Sequence, residues 1–212
     1  MKIKKLLLLS AFVLIAKISF GQYASIEAST GGFSFIPAFA SSEPHFILTA
    51  GTSSKHRLSA HLLTNIRMEN GLPRNFILIS RYRLIDQKLK MNVGIYLPAF
   101  QITDDYTVNS FFTQDVSISY PISESVTIGT FYLHGKGRNF DHNSNFLSFN
   151  TTVIKGKMSY LTQAYVLDMD NTYGMSETLA YTLNEKFSLK AFATKIISSG
   201  EFKWTVGLKY NL

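Results

Sequence analysis

The sequence predicts an all-β chain, an antiparallel up-and-down transmembrane barrel of about twelve strands, with ten strands and an irregular start as the fallback. Three observations carry this. The chain opens on an export leader. Past residue 32, segments of about ten residues alternate apolar and polar side chains between turn residues, as strands do when one face meets hydrocarbon and the other a wet interior. Past the leader, no stretch approaches about 18 consecutive apolar residues, so a mature chain integral to a membrane must cross it with strands.

The leader is residues 1–21, MKIKKLLLLSAFVLIAKISFG. Lys2, Lys4 and Lys5 precede an apolar run from Leu6 to Ala16, and Ser19 and Gly21 give the small-x-small pattern of a cleavage site. This reads as a Sec-type signal peptide, with Gln22 as the new N-terminus. An uncleaved anchor helix fits less well, because the run is shorter than the roughly 20 residues a span needs. Residues 22–32 are then a short periplasmic segment, and 33–212 the barrel.

Composition narrows the function. The chain has 212 residues, the length of one ordinary domain, with 21 Lys and Arg against 14 acids. Loss of Lys2, Lys4, Lys5 and Lys17 with the leader lowers the net charge from +7 to +3. That is too mild for a nucleic-acid partner, which needs a clustered basic face. No zinc knuckle, Gly-rich RNA-binding loop or Walker-type loop is present. The absence of cysteine excludes disulfides, thiolate metal sites and a lipoprotein anchor.

The elements follow in order. Residues 33–40 read as the first strand, although Pro37 removes a ladder donor and suits only an edge or bulge. Residues 44–52, 56–68, 75–85 and 88–100 follow, with turns at 53–55 and 86–87 and a loop at 69–74. Residues 110–121, 125–136, 146–155 and 157–168 continue the rhythm across a loop at 103–109, a turn at 123–124, a loop at 137–145 and a turn at Gly156. Residues 173–183, 187–198 and 201–212 close the series, with a turn at 184–186 and short connections near Asp170 and Ser199. The outward parity of these strands places Tyr82, Tyr120, Tyr160, Tyr181, Phe187 and Tyr210 near the tight turns. Phe46, Phe76, Phe112, Tyr132, Phe149, Tyr173, Phe202 and Trp204 fall near the other end. Two aromatic bands on one face are the girdles of a membrane barrel, whereas a soluble sandwich scatters aromatics through its core.

The last strand alternates without error: Phe202, Trp204, Val206, Leu208, Tyr210 and Leu212 on one face, Lys203, Thr205, Gly207, Lys209 and Asn211 on the other. It resembles the C-terminal assembly signal of outer-membrane barrels, departing from it at Leu212, where an aromatic is usual. Together, leader, alternation, girdles and terminal strand make the chain similar to small Gram-negative outer-membrane β-barrel proteins. That resemblance implies an outer-membrane location, contact with outer-membrane lipid and handling by barrel-assembly machinery during biogenesis.

The inward parity holds most of the charge. His61, Arg67, Arg81, Arg83, Lys90, Lys190, Lys203 and Lys209 face the interior, with Asp115 among few acids. One reading is a basic lumen that favours small anions. The other is that these side chains fill the barrel and bond to one another, to backbone or to water. Glu177 is outward in mid-strand, where a charge is costly, and sits diagonally from Lys195 on the next strand. The pair marks a protein contact, unless a β-bulge turns Glu177 inward.

No catalytic, metal or cofactor site is expected. His45, His56, His61, His134 and His142 have no ligand spacing. Ser144, Ser148 and Asn150 lie near His142, but the outward positions of that strand are Leu147, Phe149, Thr151 and Val153, so no serine–histidine set faces lipid. Residues 168–171 resemble part of a calcium loop but lack its glycine and distal glutamate. The leading functional reading is a narrow porin-like channel for small anionic solutes. A structural or accessory barrel docked to a larger envelope complex is the alternative, and a lipid-modifying enzyme ranks third.

Overall fold

The computed structural model describes residues 22–52 and 56–212, so the leader and the turn at 53–55 lie outside the described residues. Twelve strands close into an antiparallel barrel in which each strand pairs with its neighbours in sequence and the first pairs with the last. They are β1 (Gln22–Ser29), β2 (His45–Thr52), β3 (Leu58–Arg67), β4 (Pro73–Asp86), β5 (Lys90–Ile102), β6 (Val108–Pro121), β7 (Val126–Gly137), β8 (Asn143–Lys155), β9 (Met158–Leu167), β10 (Thr172–Thr182), β11 (Phe187–Ile196) and β12 (Phe202–Asn211). Closure leaves no sheet edge with unpaired backbone, which hydrocarbon would not tolerate.

One assignment is corrected. The closing strand is β1, within the segment expected to be periplasmic, and residues 33–40 are not a strand. β1 carries its own alternation: Ser25, Glu27 and Ser29 are buried inside, while Ile26 faces out. Its register with β12 sets Ile26 opposite Tyr210 and Glu27 opposite Lys209. Residues 33–40 are more apolar than β1 and so imitate a lipid-facing strand, but their apolar side chains meet the inside of the barrel. Pro37 opens a single 3-10 turn there, Pro37–Phe39, instead of breaking a ladder.

The barrel has a turn end and a loop end. At the turn end β8 and β9 are joined by two residues, with Gly156 at φ +58 in the first central position, where a primed type II turn places glycine. Both described termini, Gln22 and Leu212, also lie there, as Ala24 accepts the Leu212 amide. Connections at the loop end are also short, except residues 30–44. The exterior displays two aromatic bands, Tyr82, Tyr120, Tyr160 and Tyr181 toward the turns and Phe76, Phe149, Tyr173, Phe202 and Trp204 toward the loops, all exposed.

The buried apolar core sits inside the barrel at the loop-end half. Ile36 and Ala38 of the 30–44 segment join Ile79, Tyr96, Leu133, Phe146, Tyr165, Leu167 and Ile196 of the wall. Half of this lumen is therefore packed like a protein interior.

Candidate functional site: the barrel lumen

The segment between β1 and β2 enters the lumen at Gly31. A Cβ there would come within 2.3 Å of both the Ser41 carbonyl and Thr205 Cγ2, so only glycine allows the chain to leave the wall at this point. Gly32 and Ser41 exchange backbone hydrogen bonds of 3.0 and 3.3 Å that pinch the base of the loop. Inside, buried Asn65 of β3 holds Phe33 by both backbone groups, donating to its carbonyl at 2.8 Å and accepting its amide at 3.4 Å. Lys203 of β12 donates to the Ala38 carbonyl at 3.0 Å. Arg74 of β4 ties the outer leg, reaching Ser41 Oγ at 3.0 Å and Glu43 at 3.2 Å.

The inserted segment divides the lumen. A cavity of about 190 Å³ lies on its loop-end side against β3 to β7, and one of about 260 Å³ lies deeper against β1, β2 and β9 to β12, with Arg81 of β4 and Phe131 of β7. Gly32, Phe33, Ser34 and Phe35 form part of the wall of both.

A polar layer lies beneath. Arg81 donates from Nε and Nη2 to one oxygen of Asp115, at 3.0 and 2.7 Å, and the Tyr96 hydroxyl donates to the same oxygen at 2.6 Å. Asp115 has a fully buried side chain and fits because residue 94 is glycine, where a Cβ would lie 2.7 Å from its Oδ1. Glu27 pairs with Lys190 at 3.6 Å, and the Lys190 ammonium also lies 5.1 Å from the Phe33 ring centroid. Nearer the turn end, Tyr23 and Ser59 bond the two ring nitrogens of His61 at 2.8 and 3.2 Å.

The eight basic positions read from the sequence sit on strands whose inward parity they share, but their charge is largely neutralised. Arg67 meets Asp104 (2.7 Å), Arg81 Asp115 (2.7 Å), Arg83 Asp86 (2.9 Å), Lys190 Glu27 (3.6 Å) and Lys203 Glu201 (3.4 Å). Of the eight, His61, Lys90 and Lys209 have no ion pair among the described residues. Glu27 and Tyr96 were not recognised from the sequence. Glu27 lies in the strand taken for a periplasmic segment, and Tyr96 differs from the girdle tyrosines only in parity.

Glu177 faces out, because β10 keeps an unbroken register with both neighbours. Lys195 stands diagonally from it on β11, opposite Met175, but the two form no ion pair: Lys195 bonds the Gly200 carbonyl, and Glu177 accepts the Thr162 hydroxyl at 2.9 and 3.0 Å. Phe202, Trp204, Val206 and Leu208 are exposed on the outside of β12, as is Leu212 just past its end, and Tyr210 packs against Phe187 with ring centroids 5.0 Å apart.

At the loop end His142 Nε2, just before β8, lies 3.1 Å from Ser144 Oγ. Ser144 is buried, and among the described residues no carboxylate is hydrogen-bonded to the imidazole. No metal-ligating cluster occurs among the described residues. Two loop carboxyls are held below the usual carboxylate range. Asp168 is lowered by the Asn145 amide at 2.7 Å and then by the Asn145 side chain, and Asp105 by the hydroxyls of Thr103 and Thr107.

No protein-family model and no curated protein matches the chain. Among solved structures it is similar to the KdgM porin in complex with disordered oligogalacturonate, at a TM-score of 0.64 and 8% identity over 89% of this chain and 98% of that one. It is also similar to the NanC porin, at a TM-score of 0.63 and 11% identity over 89% of this chain and 100% of that one. Identities this low establish the fold alone, that of a small outer-membrane porin barrel.

Proposed function

We propose that this chain is exported, resides in the outer membrane and acts as a porin-like channel of narrow bore for small anionic solutes. The observation on which the channel reading rests is the divided lumen, two cavities on either side of an inserted segment whose Ile36 and Ala38 pack into the core of the wall. The anion preference draws on charge at the turn end. Lys90 and Lys209 face the lumen there without an ion pair among the described residues, and Arg57, Lys88, Lys157 and Lys186 surround the mouth against Asp86, Glu124 and Glu185. The loop end gathers Glu69, Asp104, Asp105, Asp141, Asp168 and Asp170. A low-dielectric wall focuses such fields, so selectivity is set at the turn-end mouth. The KdgM porin, with its oligogalacturonate complex, offers an analogy of fold.

The test is reversal potential in planar bilayers under a KCl gradient. The channel shows anion preference, and the double variant Lys90→Glu/Lys209→Glu moves the potential toward cations. Absence of conductance, or a cation preference in the unmodified protein, rejects the proposal.

One observation favours the accessory-barrel reading, with an envelope protein as partner. The Glu177 carboxylate is exposed in mid-belt, and the hydroxyls of Thr162 and Thr151 beside it break the apolar surface. If that patch binds a partner, Glu177→Leu abolishes co-purification while leaving conductance unchanged.

A further inference from the structure

The loop-end cavity is chemically unlike a porin lumen. Phe35, Ile36, Ile77, Phe111 and Leu133 supply apolar walls, and the Phe35 ring meets Tyr96 edge-on at 5.4 Å. The apolar part of this lining offers ordered water none of the two to four polar partners it needs. The volume of about 190 Å³ suits a single ring with one small substituent. A cavity of about 150 Å³ with similar lining takes up benzene.

Ser34, Asn65, Tyr96 and Thr113 also line the cavity, and at its β4–β5 rim Arg74, Asn75 and Gln101 hold donors without a partner among the described residues. Asn75 accepts the Asn65 amide at 2.8 Å through Oδ1, which leaves its Nδ2 hydrogens without a partner among the described residues. The Gln101 side chain makes no hydrogen bond among the described residues and is exposed at the end of β5. Arg74 uses only Nη1 on Ser41 and Glu43. All three border the cavity. An apolar body with a charged acceptor end satisfies both halves of this lining: the body gains from leaving water, and the acceptor meets the Nε and Nη2 of Arg74, whose Nη1 is already paired with Glu43, and the amide hydrogens of Asn75 and Gln101.

We infer that the cavity beside the inserted segment is a binding site for a small aromatic carboxylate, ring inward against Phe35 and Leu133 and carboxylate toward Arg74, Asn75 and Gln101. The site goes beyond the channel reading and stands whether or not the barrel conducts.

The full mature barrel in lipid nanodiscs is titrated with 4-fluorobenzoate and, separately, fluorobenzene, followed by fluorine NMR line broadening against empty nanodiscs. Both broaden beyond the empty-disc level, and benzoate displaces 4-fluorobenzoate where acetate at the same concentration does not. Ala99 is buried and borders the cavity, so Ala99→Leu fills it and weakens both ligands at least tenfold, with folding verified by heat-modifiable gel mobility. Arg74→Gln, at the rim of the packed region, weakens 4-fluorobenzoate at least threefold and leaves fluorobenzene unchanged. No broadening above empty discs, displacement by acetate equal to that by benzoate, or an Arg74→Gln effect equal on both ligands overturns the inference. So does unaltered binding in a heat-modifiable Ala99→Leu protein.

Discussion

At Asp115 three donors, two from Arg81 and one from Tyr96, converge on a single carboxylate oxygen inside the barrel. Removing one partner of a buried pair leaves the other charge uncompensated, which costs about 3–5 kcal/mol. Arg81→Leu therefore lowers the unfolding free energy, read by urea titration of the barrel refolded in detergent, by that order, whereas exchanging surface Lys157 has little effect. Phe146 has no solvent exposure, and Phe146→Ala costs about 3–5 kcal/mol in the same assay, for loss of burial and the cavity left behind. At Asp168 the lowered carboxyl gives a pH dependence with a definite sign. Its stabilisation of the contact with Asn145 at the start of β8 is present above the unfolded-state value, about 4, and is lost as pH falls through the lower folded value. Hydrogen exchange at the Asn145 amide is slower in the unmodified protein than in Asp168→Asn at pH 7, and the difference disappears in strong acid.

The 30–44 segment sets the bore at the scale of an element. Its polar hold on the wall is local, Asn65 on Phe33, Lys203 on Ala38, Arg74 on Ser41 and Glu43, while Ile36 and Ala38 pack into the buried core. Truncating Asn65 and Lys203 removes three of these hydrogen bonds without touching the ladder. In the channel reading, Asn65→Ala/Lys203→Met raises single-channel conductance, and a cysteine pair bridging the segment to β12 returns it to the lower level under oxidising conditions. An unchanged conductance in the double variant shows that the bore is set elsewhere. β12 carries no such exception: its aromatic and aliphatic side chains all lie on one exposed face, as a strand with a side-chain period of two requires.

For the whole molecule, closure of twelve strands and an exposed apolar exterior predict that the mature protein fractionates with the outer membrane and migrates differently in gels before and after boiling. Release by osmotic shock without detergent contradicts both the location and the channel.

Much of this fold was legible because the pleat is local. Alternation from residue to residue tells which side chains of β12, or which tyrosines of β4, β6 and β9, share the exterior, and no distant contact changes that parity. The site was legible only in part. The same parity identified Arg81 and Lys190 as inward, but their acid partners depend on which strands become neighbours and on Glu27 belonging to the wall. Phe33 to Ala40 looked like a strand because an apolar alternation facing lipid and an apolar segment packed inside are written in the same residues.

By itself the sequence determined a leader-like start, strands with one apolar face, two aromatic bands and a terminal strand of unbroken alternation, all consequences of short-range periodicity. Tertiary structure decided that residues 30–44 fill the lumen, that most interior cations are paired and that an aromatic cavity forms beside the segment. The reason is chain separation: the Lys203 to Ala38 bond joins positions 165 residues apart, and only closure of the barrel brings them together.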